Sequence, residues 1–175
     1  ASRPILSLSS RAIPGNVLTF IVNDPSLNEG KKLRPNVKNK IIEDVIFMST
    51  EKEDSQADIA LIWSTAYDSK IMSFANTIHT VDGGTHEQSF KVSLARTINK
   101  YGRNFKFLKE GNPNLKGEDI TEGLIAVVSV KLTDAQFESQ TKAKLGNSDI
   151  RTLVENTVNV KLAEFFEENP AVGKV

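Results

Sequence analysis

The sequence predicts an α/β fold of the α+β two-layer sandwich kind, a mixed four-stranded sheet with helices on one face, and three observations carry that expectation. Short β-rich runs come first; a helix, a strand and a second helix follow; and the strand between the two helices is apolar almost throughout. Elements that are apolar on one face or stripe must bury it against another layer, and this order lays helices over a sheet. The 175 residues are enough for one ordinary domain, and 39% hydrophobic with 25% charged residues is the composition of a chain that folds around a core.

Taken in order, Val17, Thr19 and Ile21 alternate with Leu18, Phe20 and Val22 between Pro14-Gly15-Asn16 and Asn23-Asp24-Pro25, a strand bounded by turns. Pro25 to Pro35 is a loop of Ser, Asn, Gly, Lys and Pro. Ile41 to Met48 reads as a strand, although Ile41, Ile42, Val45 and Ile46 also fit helical spacing. From Ala57 to Ala66, Ile59, Leu61 and Trp63 point one way and Asp58, Ala60, Ile62 and Ser64 the other, as in a strand with one buried face. Tyr67-Asp68-Ser69-Lys70 then supplies turn residues before Ile71 to Ile78, so these two runs are expected to pair as a hairpin. Leu124 to Leu132 is Val-rich and apolar on both rows, the mark of a central strand. After Asp82-Gly83-Gly84, Phe90, Leu94, Ile98 and Tyr101 recur at helical spacing, with Thr85 as the expected N-cap. A second helix is expected from about Ser148 to Asn169 on the stripe Ile150, Leu153, Val154, Thr157, Val158, Leu162, Phe165 and Phe166. Asn147 or Ser148 would cap it, and Pro170 lies beyond its end.

Composition removes several function classes. Lys plus Arg and Asp plus Glu both total 22, so no overall basic field exists to hold nucleic acid or an anionic membrane. A local surplus does exist in residues 1–40, where Arg3, Arg11, Lys31, Lys32, Arg34, Lys38 and Lys40 face only Asp24 and Glu29. Without cysteine there are no disulfides, thiol nucleophiles or iron–sulfur clusters. The longest wholly apolar run, Leu124 to Val128, is far short of the roughly 20 residues of a membrane helix. The start, Ala1-Ser2-Arg3-Pro4, lacks both Met and the apolar stretch of a signal peptide, so the chain is expected to be a piece of a longer protein. His79 and His86 cannot share one helix face and lack a completing carboxylate at a known spacing, so no metal site is expected; His86, beside Gly83-Gly84, is expected to brace a turn. Neither phosphate-cradling glycine motif, Gly-x-x-x-x-Gly-Lys-Ser/Thr or Gly-x-Gly-x-x-Gly, is present.

Two stretches could carry function. Between the central strand and the long helix, Phe137 to Ser148 holds Lys142 and Lys144 two residues apart in a polar loop. From the residues alone this is either a solvated turn or a place where ammonium groups and helix N–H groups meet a phosphate. On and after the first helix, Lys91, Arg96, Lys100, Arg103, Lys106 and Lys109 interleave with Phe90, Tyr101, Phe105 and Phe107, which suits either a solvated basic face or a nucleic-acid backbone.

Three motifs in fixed order give the chain a family likeness: Gly83-Gly84-Thr85-His86-Glu87 followed by Phe90, Gly117 to Lys131, and Gln136 to Asn147. Over about residues 45–170 the chain resembles the transducer domain of bacterial type II topoisomerases, with Leu145-Gly146-Asn147 leaning toward DNA gyrase B subunits over those of topoisomerase IV. It departs from the family in Thr121, where Arg is usual, and in Ser139, where Gly is common. Residues 1–40, a divergent or junction segment with one strand, match only vaguely; 41–170 would be the transducer domain and 171–175 a tail leading to the next domain.

The resemblance implies a ribosomal-protein-like fold with a left-handed βαβ crossover, and a cytoplasmic protein, or an organellar one in a eukaryote. It implies that ATP with Mg is bound mainly by an ATPase domain preceding this piece, that Lys142 reaches the γ-phosphate there, and that Gln140 and Thr141 help to place it. It further implies double-stranded DNA as a partner, near Lys91 and Arg96, with a gyrase A subunit and a second gyrase B chain completing a clamp. This piece alone is not expected to hydrolyse ATP. A free-standing α/β nucleic-acid-binding module is the other reading that the basic residues leave open.

Overall fold

The computed structural model of the chain describes residues 41–42 and 45–174. The segment 1–40, with the strand expected at Val17–Val22, lies outside the described residues.

The β-rich runs form β1 (Ile46–Lys52), β2 (Ser55–Trp63), β3 (Lys70–Ala75), the two-residue β4 (Ile78–His79) and β5 (Leu124–Lys131), all in one sheet of order β1-β2-β5-β3-β4. β1 and β2 are a hairpin that turns through Glu53 and Asp54, with Lys52 opposite Ser55 and Glu53 at a positive φ of 53°. Among the described residues every pairing is antiparallel except β3 with β5, so the sheet is mixed, four principal strands with the short β4 beside β3.

The expected hairpin between the 57–66 and 71–78 runs does not form. β5 inserts between them, antiparallel to β2 and parallel to β3. A strand apolar on both rows belongs where both faces are covered, in the interior of the sheet, and β5 takes a partner on each side. The connection from β2 to β3 crosses the start of β5, where Ser64 N–H donates to the Gly123 carbonyl at 2.9 Å. Gly123 has φ of 69°, and a side chain there would run into the carbonyl oxygens of Ser64 and Ala66. β2 also differs from expectation in that both its rows are buried. Ala60 lies between Phe47 and Val127 in the register, and Asp58 between Ser49 and Ser129, so small or bonded side chains are shielded by their neighbours; Asp58 Oδ1 accepts from Ser49 Oγ at 2.6 Å.

The helices are α1 (Thr85–Asn104), the single-turn α2 (Gly117–Thr121), α3 (Asp149–Thr157) and α4 (Ala163–Glu168), with a π-helical segment at Val158–Leu162 joining the last two. Phe90 and Leu94 of α1 are fully buried, as are Val154, Val158 and Leu162, and they share one core with Ile46, Met48, Ile59, Leu61, Ala126, Val128 and Val130. α3 packs on β1 and β2, and α1 on α3 and β5. Burying each Leu, Ile or Phe of this set stabilises the fold by about 1.5–3 kcal/mol relative to exposure.

The π-helical segment has a readable cause. Val154, Val158, Leu162 and Phe166 are all buried at steps of four. In a regular helix a step of four advances about 400°, so such a stripe drifts by about 40° each time. A wider turn takes up part of that drift and keeps the late residues on the core. It also carries Asn159 to α1, where its Oδ1 accepts from Thr97 Oγ1 at 3.0 Å.

Candidate phosphate-facing loop and its anchor

The connection from β5 to α3 folds into a small hairpin-like loop. Gly146 N–H donates to Gln136 O at 2.7 Å and Glu138 N–H to Lys144 O at 2.9 Å, closing its two arms. At the tip, Lys142 N–H donates to Ser139 O at 3.1 Å, so Ser139-Gln140-Thr141-Lys142 is a β-turn. Lys142 ends this turn with φ of 54°. Gln140, Thr141 and Lys142 are all exposed, whereas Ala143 and Leu145 directly below are buried.

The two lysines do not share a role. Lys144 Nζ is 2.8 Å from Glu138 Oε2 and braces the arms. Lys142 Nζ lies 6.0 Å from the centroid of the Phe137 ring, at the outer reach of a cation–π contact. Ser139 and Lys142 also stand at a Ser-x-x-Lys spacing, but the Ser139 hydroxyl is engaged with Thr141 Oγ1 at 2.7 Å.

The base of the loop is pinned to the start of α1. Asp82 N–H donates to Ala143 O at 2.9 Å, Leu145 N–H to Gly83 O at 3.1 Å, and Thr85 N–H to Leu145 O at 3.0 Å. The expected cap is therefore corrected. Gly84, not Thr85, is the N-cap of α1, and the Thr85 hydroxyl is buried with no partner among the described residues. The reason is the close approach of the two backbones: a Cβ on Gly84 would meet Leu145 O at 2.5 Å and Leu145 N at 2.6 Å. A carbonyl sixty residues away satisfies the helix start that a side chain was expected to satisfy. At α3, Ser148 is the N-cap without a side-chain bond. Asn147 instead receives Gln136 N–H on Oδ1 at 2.6 Å and donates Nδ2 to Asp134 O at 2.9 Å, locking the entry to the loop.

Behind the anchor is a buried polar chain. Ser73 Oγ on β3 is 2.8 Å from Glu87 Oε2 and 2.8 Å from Thr80 Oγ1; Thr80 Oγ1 is 3.1 Å from His86 Nε2. Glu87 Oε1 is in turn 2.7 Å from Lys91 Nζ. A carboxylate only accepts, so Ser73 donates to Glu87, Thr80 to Ser73, and the Nε2–H of His86 to Thr80. The Nδ1 lone pair of His86 is buried and has no partner among the described residues. His86 thus braces the 80–84 turn, as the sequence suggested, while Ser73 and Thr80 gave no signal beyond being single hydroxyl residues.

Burial pushes the His86 imidazole down from its ordinary 6.5 to about 4, and the Glu87 carboxylate offsets this only in part. Protonating Nδ1 would bury a cation whose new N–H has no acceptor. Between pH 6.5 and 4 the unfolded chain takes up this proton and the native one does not, so stability rises with pH across that window. The contribution is complete at pH 7 and is lost as pH falls to about 4, on the order of 3 kcal/mol in all. We expect the unfolding free energy of the wild type to drop more steeply from pH 7 to 4.5 than that of His86→Gln, whose amide keeps the donor and cannot titrate. Parallel slopes in chemical denaturation would show that His86 titrates at its ordinary value.

Lys91 and Arg96 are both exposed on α1 but do not form one patch. At 100° per residue they lie about 140° apart around the helix. Of the aromatics near them, Phe90 and Tyr101 are buried, Tyr101 packing on Phe105 at 4.4 Å and on Phe166 at 4.8 Å between ring centroids, whereas Phe105 and Phe107 are exposed. Arg103 donates to the Lys109 and Asn112 carbonyls and to Asn114 Oδ1, ordering the loop that follows α1. Among the described residues no three His, Cys, Asp or Glu side chains come together as metal ligands, and no helix is long and apolar enough to cross a membrane.

A family model described as DNA gyrase B matches residues 27–175. The chain belongs to the DNA gyrase B family. Over 137 residues it is 48% identical to the DNA gyrase B protein of Enterococcus faecalis, covering 78% of this chain and 21% of that protein. The corresponding gyrase B protein of Clostridium acetobutylicum is 52% identical over 118 residues, 67% of this chain and 18% of that protein. This gyrase B-family chain therefore spans about a fifth of the length of the curated relatives it matches. Among solved structures it is similar to the 43K ATPase domain of Thermus thermophilus gyrase B in complex with an aminocoumarin, at TM-score 0.72 and 34% identity over 86% of this chain and 38% of that one. A topoisomerase IV ATP-binding domain of Francisella tularensis gives TM-score 0.66 and 28% identity over 75% of this chain and 36% of that one. The α/β architecture of the gyrase B family chain, a mixed sheet carrying helices, is the one these neighbours share.

Proposed function

We propose that residues 41–170 are the transducer domain of a gyrase B-type subunit of an ATP-dependent type II topoisomerase, with 171–175 leading onward. The reading rests above all on one observation: Gln140-Thr141-Lys142 is an exposed turn raised on a base that backbone bonds fix to α1. In this reading ATP with Mg is held mainly by a preceding ATPase domain. Lys142 brings its ammonium to the γ-phosphate, while Gln140 and Thr141 settle that phosphate from the same turn. A positive charge already placed where negative charge grows in phosphoryl transfer stabilises the transition state more than the ground state. The hold of Phe137 on Lys142 is weak, about 0.5–1 kcal/mol at an exposed site, and is readily exchanged for a phosphate.

Loss of the γ-phosphate releases Lys142, and because the loop continues directly from β5 into α3, that release alters the angle between the transducer and the ATPase domain. Two such subunits, with gyrase A, would close around double-stranded DNA in the cytoplasm. Arg96 and Lys91 then offer sequence-independent contacts to DNA phosphates. Lys91 is already partly neutralised by Glu87, so Arg96 carries more of that attraction. The deciding experiment is ATP hydrolysis by the intact parent protein, wild type against Lys142→Ala, with nucleotide binding measured separately. Unchanged turnover would remove Lys142 from the phosphate site.

A further inference from the structure

The buried chain Ser73–Thr80–His86, with Glu87, is joined to the exposed tip of the loop through a run of backbone bonds. Thr80 O accepts from Gly83 N–H at 2.9 Å; Gly83 O accepts from Leu145 N–H at 3.1 Å; and Leu145 is three residues from Lys142. On the other side, Thr80 N–H donates to Ser73 O at 2.9 Å, which fastens the turn to β3. Ser73 Oγ lies within bonding distance of both the Thr80 hydroxyl, at 2.8 Å, and the Thr80 carbonyl, at 3.1 Å, so Thr80 is held to β3 by its side chain as well as its backbone. Gly83 and Gly84 contribute no side chains to the 80–85 turn, so what bracing it receives beyond its backbone bonds comes from the side chains of Thr80 and His86.

We propose that Thr80 and His86 are positioning residues for Lys142: by locking the Gly83-Gly84 turn to β3 they set the height at which the phosphate-facing loop is presented. This inference rests on the reading of Lys142 given above. Thr80 is the informative site, because Val has nearly its shape and lacks only the hydroxyl that bridges Ser73 and His86.

The test is a set of variants in the intact parent protein. Thr80→Val should lower kcat for ATP hydrolysis by about tenfold while the KM for ATP moves less than twofold, since a misplaced catalytic group costs rate more than binding. Thr80→Ser, which keeps the hydroxyl, should restore most of it. In the Lys142→Ala background Thr80→Val should have no further effect. An equal loss in both backgrounds would show a merely structural role and overturn the proposal, as would an unchanged kcat in the single variant. Amide exchange at Leu145 reads the link without turnover and should be faster in Thr80→Val. If Lys142→Ala proves inert while that exchange still quickens, the function reading falls and the positioning link stands. Unaltered exchange would sink the link itself.

Discussion

Lys142→Ala in the intact parent protein should cut ATP turnover by on the order of 10²–10³-fold while nucleotide binding falls far less. The size follows from removing one preorganised charge donor, worth about 2.7–4 kcal/mol in a site where it meets developing negative charge. Binding is spared because a γ-phosphate in the ground state would keep its other partners. Within the loop little else changes: the β-turn is closed by backbone, Lys142 N–H to Ser139 O, and among the described residues its ammonium has the Phe137 ring, with the centroid 6.0 Å away, as its neighbour. Parallel loss of binding and turnover would mean that Lys142 holds ATP without favouring its transition state. Lys144→Ala is the natural comparison, since that ammonium braces Glu138 and should affect turnover much less.

Gly84→Ala should destabilise the chain by about 3–5 kcal/mol and detach the loop. Its φ of 141° with ψ of −165° is a region essentially confined to glycine, costing about 1–3 kcal/mol for any other residue. The added methyl would also press on Leu145 O and N, backbone atoms that cannot rotate away. Relief requires Leu145 to shift, with loss of its own two hydrogen bonds, Leu145 N–H to Gly83 O and Thr85 N–H to Leu145 O, at about 1 kcal/mol each. Urea denaturation measures the first effect, and amide exchange at Thr85 and Leu145 the second. A stability loss under about 1 kcal/mol would show that these two backbones are not in such close contact.

Which parts of this were legible in the residues follows from how local their causes are. Phe90, Leu94, Ile98 and Tyr101, or Ile150, Leu153 and Val154, announce a helix because neighbours on its face are three and four apart. The Val-rich run at 124–131 announces an interior strand because both its rows must be dry. Pairing is another matter: nothing in Ala57–Ala66 or Ile71–Ile78 says that a strand fifty residues later will come between them. The same distance hid the real cap of α1, since the Leu145 carbonyl that serves Thr85 N–H is remote in the sequence. At the loop, Lys142 and Lys144 stand out as charges, but only the fold separates them into an exposed cation and an internal brace. The π-helical turn has its trace in the strict step of four at Val154, Val158, Leu162 and Phe166, a spacing that a regular helix also tolerates.

The place of β5 gives the loop a mechanical character. The strand leading into it is flanked along its length, by β2 from Gln56 to Trp63 on one side and by β3 from Lys70 to Ala75 on the other. A pull on Lys142 along the strand direction therefore loads both ladders in shear, so that many hydrogen bonds share the force at once and none is peeled ahead of the rest. An edge strand pulled sideways would unzip bond by bond. Placed where it is, the loop is a stiff handle on the whole sheet, and a small displacement at its tip travels through the domain as motion of the body and not as local give.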